Sequence, residues 1–168
     1  MAKGTRQRRL TPFSGGEFIR RTYERGLIKH GDLIPCAQLF ESVFNASPWN
    51  ESWKLETVVQ RMQDFYDTPG FRGIVATIQD EPAAFLLGHV EQWDEEKHFC
   101  LPEMCVVPER QNGGLGTALL KSLEESLGKE DVTKIYLYTA RDTLAHSFYR
   151  KQGFHLSSRM ILMTKRLP

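Results

Sequence analysis

The run Gln111-Asn112-Gly113-Gly114-Leu115-Gly116-Thr117 follows an apolar stretch and a proline, and leads into a helix-forming segment. Its three glycines let the chain turn sharply and bring backbone N–H groups against a ligand. The first turn of the following helix adds unpaired donors and the positive end of its dipole. Backbone of this kind takes an anion, phosphate or pyrophosphate foremost. Arg110 and the Gln111 amide stand at its mouth. A nucleotide P-loop needs Lys-Ser/Thr after its last glycine, whereas Gly116 leads into Thr117-Ala118. The spacing is also not the G-x-G-x-x-G of a dinucleotide-binding fold. A purely structural strand-to-helix turn stays open as the alternative.

A second group lies one strand downstream, from Asp142 to Phe154, where Ala145, Phe148 and Tyr149 fall at i, i+3 and i+4. One helix face can then pack while the Tyr149 phenol points into a cleft, although aromatics at this spacing also serve as plain core. Glu103 is the only acidic residue in the apolar run Phe99–Val107. Desolvation there raises a carboxyl pKa toward the range useful to a general base. A rim carboxylate facing solvent, or one paired with a structural cation, is the competing reading. Strand parity decides between them, and a bulge would shift it by one residue. Trp49, Trp53, Tyr66, Phe71, Glu91 and Trp93 could line a pocket for a cationic, partly apolar ligand. His89 and His98 read as strand-face histidines.

These residues need elements to hold them. A first strand is expected over Glu17–Tyr23, then a helix capped by Asp32 with Leu33, Cys36, Ala37, Phe40, Val43 and Phe44 on one face. Ser47-Pro48 stops it, and Lys54–Tyr66 reads as a second amphipathic helix. Strands follow at Phe71–Ile78, Ala83–Trp93 and His98–Val107. A helix over Gly114–Leu127, a strand over Thr133–Thr139 and a helix capped by Asp142 and ended by Gly153 come next. Phe154–Lys165 alternates as one or two closing strands. The order β-α-α-β-β-β-α-β-α-β predicts a mixed sheet with helices on both faces.

Length and composition fit one folded unit over residues 17–168, preceded by a basic tail over 1–16. Lys3, Arg6, Arg8, Arg9, Arg20, Arg21, Arg25 and Lys29 crowd the first thirty residues, yet the net charge is only +1. No global field therefore points to nucleic acid or a membrane surface. Cys36, Cys100 and Cys105 are odd in number and lack CxxC spacing, which implies neither a disulfide framework nor a metal site. No run is long enough to span a membrane and no signal core is present, so a cytoplasmic location is expected.

Val-x-Pro followed by Gln-x-x-Gly-x-Gly over 111–116, then Phe-Tyr-x-x-x-Gly-Phe over 148–154, resembles motifs A and B of the GCN5-related N-acetyltransferases (GNAT) in sequence, order and separation. The resemblance implies an α+β, three-layer fold with a mixed, mostly antiparallel central sheet. It implies acetyl-CoA as co-substrate and no metal. Backbone of Cys105, Val106 and Val107 would pair with the pantetheine arm as an added strand. Donors from Gln111, Asn112, Gly113, Gly114, Leu115, Gly116 and Thr117 would hold the pyrophosphate. Tyr149 would serve as general acid to the departing thiolate. Where the family often has Asn, this chain has Asp142, which removes an amide donor from any contact to the coenzyme. Family members are often dimers.

With Glu103 as base, a Val106 N–H facing the developing oxyanion and Tyr149 as acid, direct transfer to a primary amine is the expected reaction. Cys105 lacks the His-Asp partners of a covalent nucleophile. The acceptor is expected to be a small-molecule amine, with Trp49, Trp53, Glu91 and Trp93 in its pocket. A protein acetyltransferase acting on a lysine or an N-terminus is the second reading. A non-catalytic acetyl-CoA sensor is the third.

Overall fold

A computed structural model of the protein describes residues 23–168. The basic tail and nearly all of the strand expected over Glu17–Tyr23 lie outside the described residues. The first described strand is β1, Glu24–Leu27. After a 3₁₀ turn come α1 (Leu33–Phe44), α2 (Leu55–Tyr66), β2 (Phe71–Ile78), β3 (Glu81–Trp93) and β4 (Glu96–Val106). Then follow α3 (Leu115–Gly128), β5 (Val132–Tyr136) and α4 (Leu144–Lys151). The strands lie in sequence order, antiparallel from β1 to β4, with β5 parallel to β4. The β4-α3-β5 crossover is what makes the sheet mixed.

Helices cover both faces, as the element order predicts. On one face α1 and α2 bury Cys36, Phe40, Val43, Val58 and Met62 against Val75, Phe85, Leu87 and Cys105. On the other, α3 buries Leu115, Leu119, Leu120, Leu123 and Leu127 against Ile74, Leu86, Phe99 and Leu101, with Tyr149 and Phe154 packed against the same cluster. Phe85, Phe99, Leu86 and Leu87 are wholly buried. Each such side chain contributes about 1.5–3 kcal/mol, so the middle strands anchor both layers.

Three local expectations are corrected. Asp32 makes no side-chain bond to α1; its carboxylate accepts the Lys29 N–H at 2.7 Å and closes the preceding 3₁₀ turn instead. Asp142 does not cap α4. It sits at φ 59°, and Thr143 is the cap, its Oγ1 accepting the His146 N–H at 3.1 Å. The closing strands over Phe154–Lys165 are absent: residues 154–168 pair with no described strand, and Leu156 and Met160–Met163 are exposed. Alternation marks a segment able to bury one face, and here no described layer covers it.

Candidate active site

The site begins with a flaw in a ladder. Leu87 pairs with Glu103 and His89 with Cys100, so Leu101 and Pro102 together oppose Gly88. This is a β-bulge in β4. Before it, Phe99 and Leu101 face α3; after it, Met104 and Val106 do. The parity flips, and Glu103 and Cys105 turn toward α1 and α2. Gly88 is required here, since a Cβ on it would lie 1.9 Å from the Cys100 carbonyl oxygen. The bulge also ends the sheet on its other side. Pairing of β4 with β5 stops at Cys100 and Tyr136, while β4 runs on to Val106 bonded only to β3. A slot opens between β4 and β5, lined by free backbone donors and acceptors of β4. At its end the Gln111 amide donates to the Val106 carbonyl at 3.0 Å.

The glycine loop closes the top of this slot. A 3₁₀ turn over Pro108–Arg110 leads through Asn112 (φ 59°) to Gly114 at φ 84°, a left-handed conformation that suits glycine. The first bond of α3 is Ala118 N–H to the Gly114 carbonyl at 2.9 Å. The N–H groups of Leu115, Gly116 and Thr117 precede it and donate to no described backbone group. A helix start left open in this way has the donors and the dipole to hold an anion. A free strand edge running into free helix N–H groups fits an extended amide chain that ends in a phosphate.

Glu103 and Tyr149 stand on opposite faces of the sheet. The Glu103 carboxylate, buried on the α1/α2 face, accepts from Arg61 of α2 through Nε at 2.8 Å and Nη2. Burial raises its pKa, and the Arg61 charge and hydrogen bonds offset only part of that rise. Tyr149 packs against the α3-side core. Burial pushes its phenol up to about 12, and the Glu103 charge adds to the shift. It therefore holds its proton at neutral pH. The Cys105 thiol is pushed far up by burial, with Cys36 and Glu103 adding to the effect. A thiol that resists ionisation is a poor nucleophile.

The residues expected in the acceptor pocket fall into two groups. Trp53 lies beside Arg61, its ring centroid 5.9 Å from the guanidinium carbon, while Trp49 packs on Phe44 at 5.3 Å. Glu91 and Trp93 sit further along β3. There Glu91 accepts from Tyr136 at 2.7 Å and Trp93 at 3.0 Å, and pairs with His89 at 3.0 Å. Trp93 stacks on His98, which bonds Glu96 at 3.0 Å. Tyr66 and Phe71 pack together in the core at 5.0 Å. Asp142 lies exposed at the head of α4.

A sequence profile of the acetyltransferase (GNAT) family matches residues 36–154, from α1 to just past α4. The chain belongs to that family. Solved acetyltransferases share the fold. One is a possible acetyltransferase from Clostridium difficile 630, with a TM-score of 0.74 at 14% identity, covering 88% of this chain and 100% of that one. A second is an aminoglycoside acetyltransferase from an uncultured soil metagenomic sample, solved with sisomicin, with a TM-score of 0.71 at 17% identity, covering 89% and 99%. An aminoglycoside N-acetyltransferase in complex with CoA gives 0.69 at 12% identity, covering 86% and 95%. No curated protein matches the sequence.

Sequence reasoning assigns no role to Arg61 of this acetyltransferase and does not place the bulge it allows for. Arg61 looks like one more solvent-facing helix charge, and only its contact with Glu103, forty-two residues away, gives it a role. The bulge did leave a mark: a glycine and a proline inside two adjacent strands, Gly88 and Pro102, are what a bulge asks for. Among the described residues no His, Cys, Asp and Glu group could hold a metal ion, and no helix is long and apolar enough to cross a membrane.

Proposed function

We propose that this GNAT acetyltransferase moves an acetyl group from acetyl-CoA directly to a primary amine of a small molecule. The observation that carries the reading is the slot, with a buried carboxylate on one face, a protonated phenol on the other and unpaired backbone N–H groups at its end. Acetyl-CoA supplies an acetyl group already activated as a thioester. The free edge of Cys105 and Val106, with Val107 at the start of the loop, orients its pantetheine arm. The N–H groups of Asn112, Gly114, Leu115, Gly116 and Thr117 hold its pyrophosphate, whereas those of Gln111 and Gly113, also expected among the donors, are taken by the carbonyls of Pro108 and Arg110. The amine enters from the α1/α2 face, where Glu103 takes its proton. A Val106 N–H stabilises charge on the acetyl oxygen. Tyr149 donates its proton to the leaving sulfur from the α3 face. Cys105 takes no acetyl group, because its thiol stays protonated.

The solved aminoglycoside acetyltransferases support a small-molecule acceptor by fold alone. The test is an acetyl-CoA turnover screen against amines and lysine- or N-terminus-bearing peptides, read by thiol release and product mass. Acetylation of small amines is the expected result. Acetylation of peptides alone would move the reading to a protein acceptor. Tight coenzyme binding with no acceptor of either kind would sink the enzyme reading.

A further inference from the structure

The partner of Glu103 says something about the acceptor. Both Arg61 contacts fall on one carboxylate oxygen, Oε1. Oε2 accepts from no described group, and Arg61 Nη1 donates to none. The Glu103 side chain is 8% exposed and that of Arg61 40%. The guanidinium is held from two sides, its carbon 4.9 Å from the Phe65 ring centroid and 5.9 Å from that of Trp53. Cation–π contacts of this kind fix an arginine in place. The pair is thus a neutral unit whose inner member is buried and whose outer member presents an unused donor to solvent. Nearby charges do not change that balance. Glu51, whose charge acts on Glu103, lines one cavity with the cationic Lys54, so the two add no net charge, and the Glu91 carboxylate is bonded to Tyr136, Trp93 and His89 further along β3.

An amine arrives mostly as an ammonium ion. Adding one positive charge to a neutral, poorly solvated pair leaves a charge without a partner, which is costly. Either Arg61 must leave, or the acceptor must bring a negative charge of its own. Leaving would strip a nearly buried carboxylate of its only described cation, the expensive way to break such a pair. It would also forfeit both aromatic faces. The alternative needs no rearrangement: Oε2 is free for the ammonium and Nη1 for an anion.

We infer that the acceptor is an amino carboxylate, an amino-acid-like molecule whose amine meets Glu103 Oε2 and whose carboxylate is held by Arg61. This rests on the amine-acetyltransferase reading and narrows its substrate class. Arg61 then acts as a specificity-determining residue, acting on acceptor binding rather than on the chemical step.

The experiment compares matched pairs, phenylalanine with 2-phenylethylamine and ornithine with 1,4-diaminobutane. Acetyl transfer is measured with the full chain, and binding by calorimetry on protein saturated with coenzyme A. The amino carboxylate should show a KM and Kd about tenfold or more below its twin, as a charge-assisted contact provides. Arg61→Gln should bring that ratio close to one, whatever the loss common to both members from an unpartnered Glu103, and Arg61→Lys should restore part of the ratio. Equal or better binding of the decarboxylated twins to the wild type overturns the inference, as does an unchanged ratio in Arg61→Gln. The wild-type comparison decides even where a variant folds poorly. The binding ratio also decides where no acetyl transfer is seen, an outcome that would count against the acetyltransferase reading instead.

Discussion

The two sides of the slot are built from different materials. Its α3 side is backbone apart from the Tyr149 phenol: a strand edge without a partner, a left-handed glycine and a helix start with N–H groups free of backbone partners. Its α1/α2 side is side chains: one carboxylate, one arginine and the aromatic rings that hold it. Backbone recognition is indifferent to most side chains and suits a ligand that never changes. Side-chain recognition can be altered one residue at a time and suits a ligand that differs between relatives. A donor common to a family and an acceptor particular to each member fit that division.

If the division holds, the two sides fail differently. The largest effects should come from the chemical groups. Glu103→Gln and Tyr149→Phe should each lower kcat by about 10²-fold or more, as expected for lost general base or acid, with coenzyme affinity by calorimetry unchanged. A parallel loss of coenzyme affinity in either variant would break the comparison. Next in size, Gly114→Val forces a β-branched residue into φ 84°, at a cost of about 1–2 kcal/mol. It should weaken coenzyme binding roughly tenfold and leave kcat at saturation close to wild type.

A smaller effect is a displaced limb in the pH profile. Glu103 must be ionised to accept a proton, and burial raises its pKa. Activity should therefore fall as pH drops through a value above that of an exposed carboxylate, and this limb should vanish from the residual rate of Glu103→Gln. A limb that persists in that variant belongs to another group. The smallest effect is expected at Cys105→Ala. A buried thiol acting as a small hydrophobe should leave kcat within about threefold, and a total loss would revive covalent transfer.

What could be read from the letters follows the same division. Glycine spacing and the Phe-Tyr-x-x-x-Gly-Phe ending are local, so the helix start at Gly114 and the α4 segment carrying Tyr149 were legible, and the strands and helices from α1 to α4 fell close to their expected places, whereas β1 lies where no strand was expected. The acceptor side is made by residues far apart in sequence. Nothing near Arg61 announces Glu103, and nothing near Glu103 announces which way it faces until the extra residue at Leu101-Pro102 is counted. The tail misled for a related reason. Its alternation is real, but a strand also needs an edge to join, and no local pattern reports one.

The extra residue in β4 has a consequence for how this protein can vary. Counting on from Phe99 and Leu101, Glu103 would fall on the α3 face, and it faces α1 and α2 because two residues stand opposite Gly88. Deleting Pro102 would change no residue of the chemistry and would leave Glu103 opposite Leu87 and facing α1 and α2, yet the ladder would run straight and lose the local bend at the point where β4 and β5 part. Point substitutions at many positions in this strand are survivable changes of shape or polarity. A one-codon deletion at this place would keep every facing and remove the bend beside the slot, so what lineages must preserve here is a count before it is an identity.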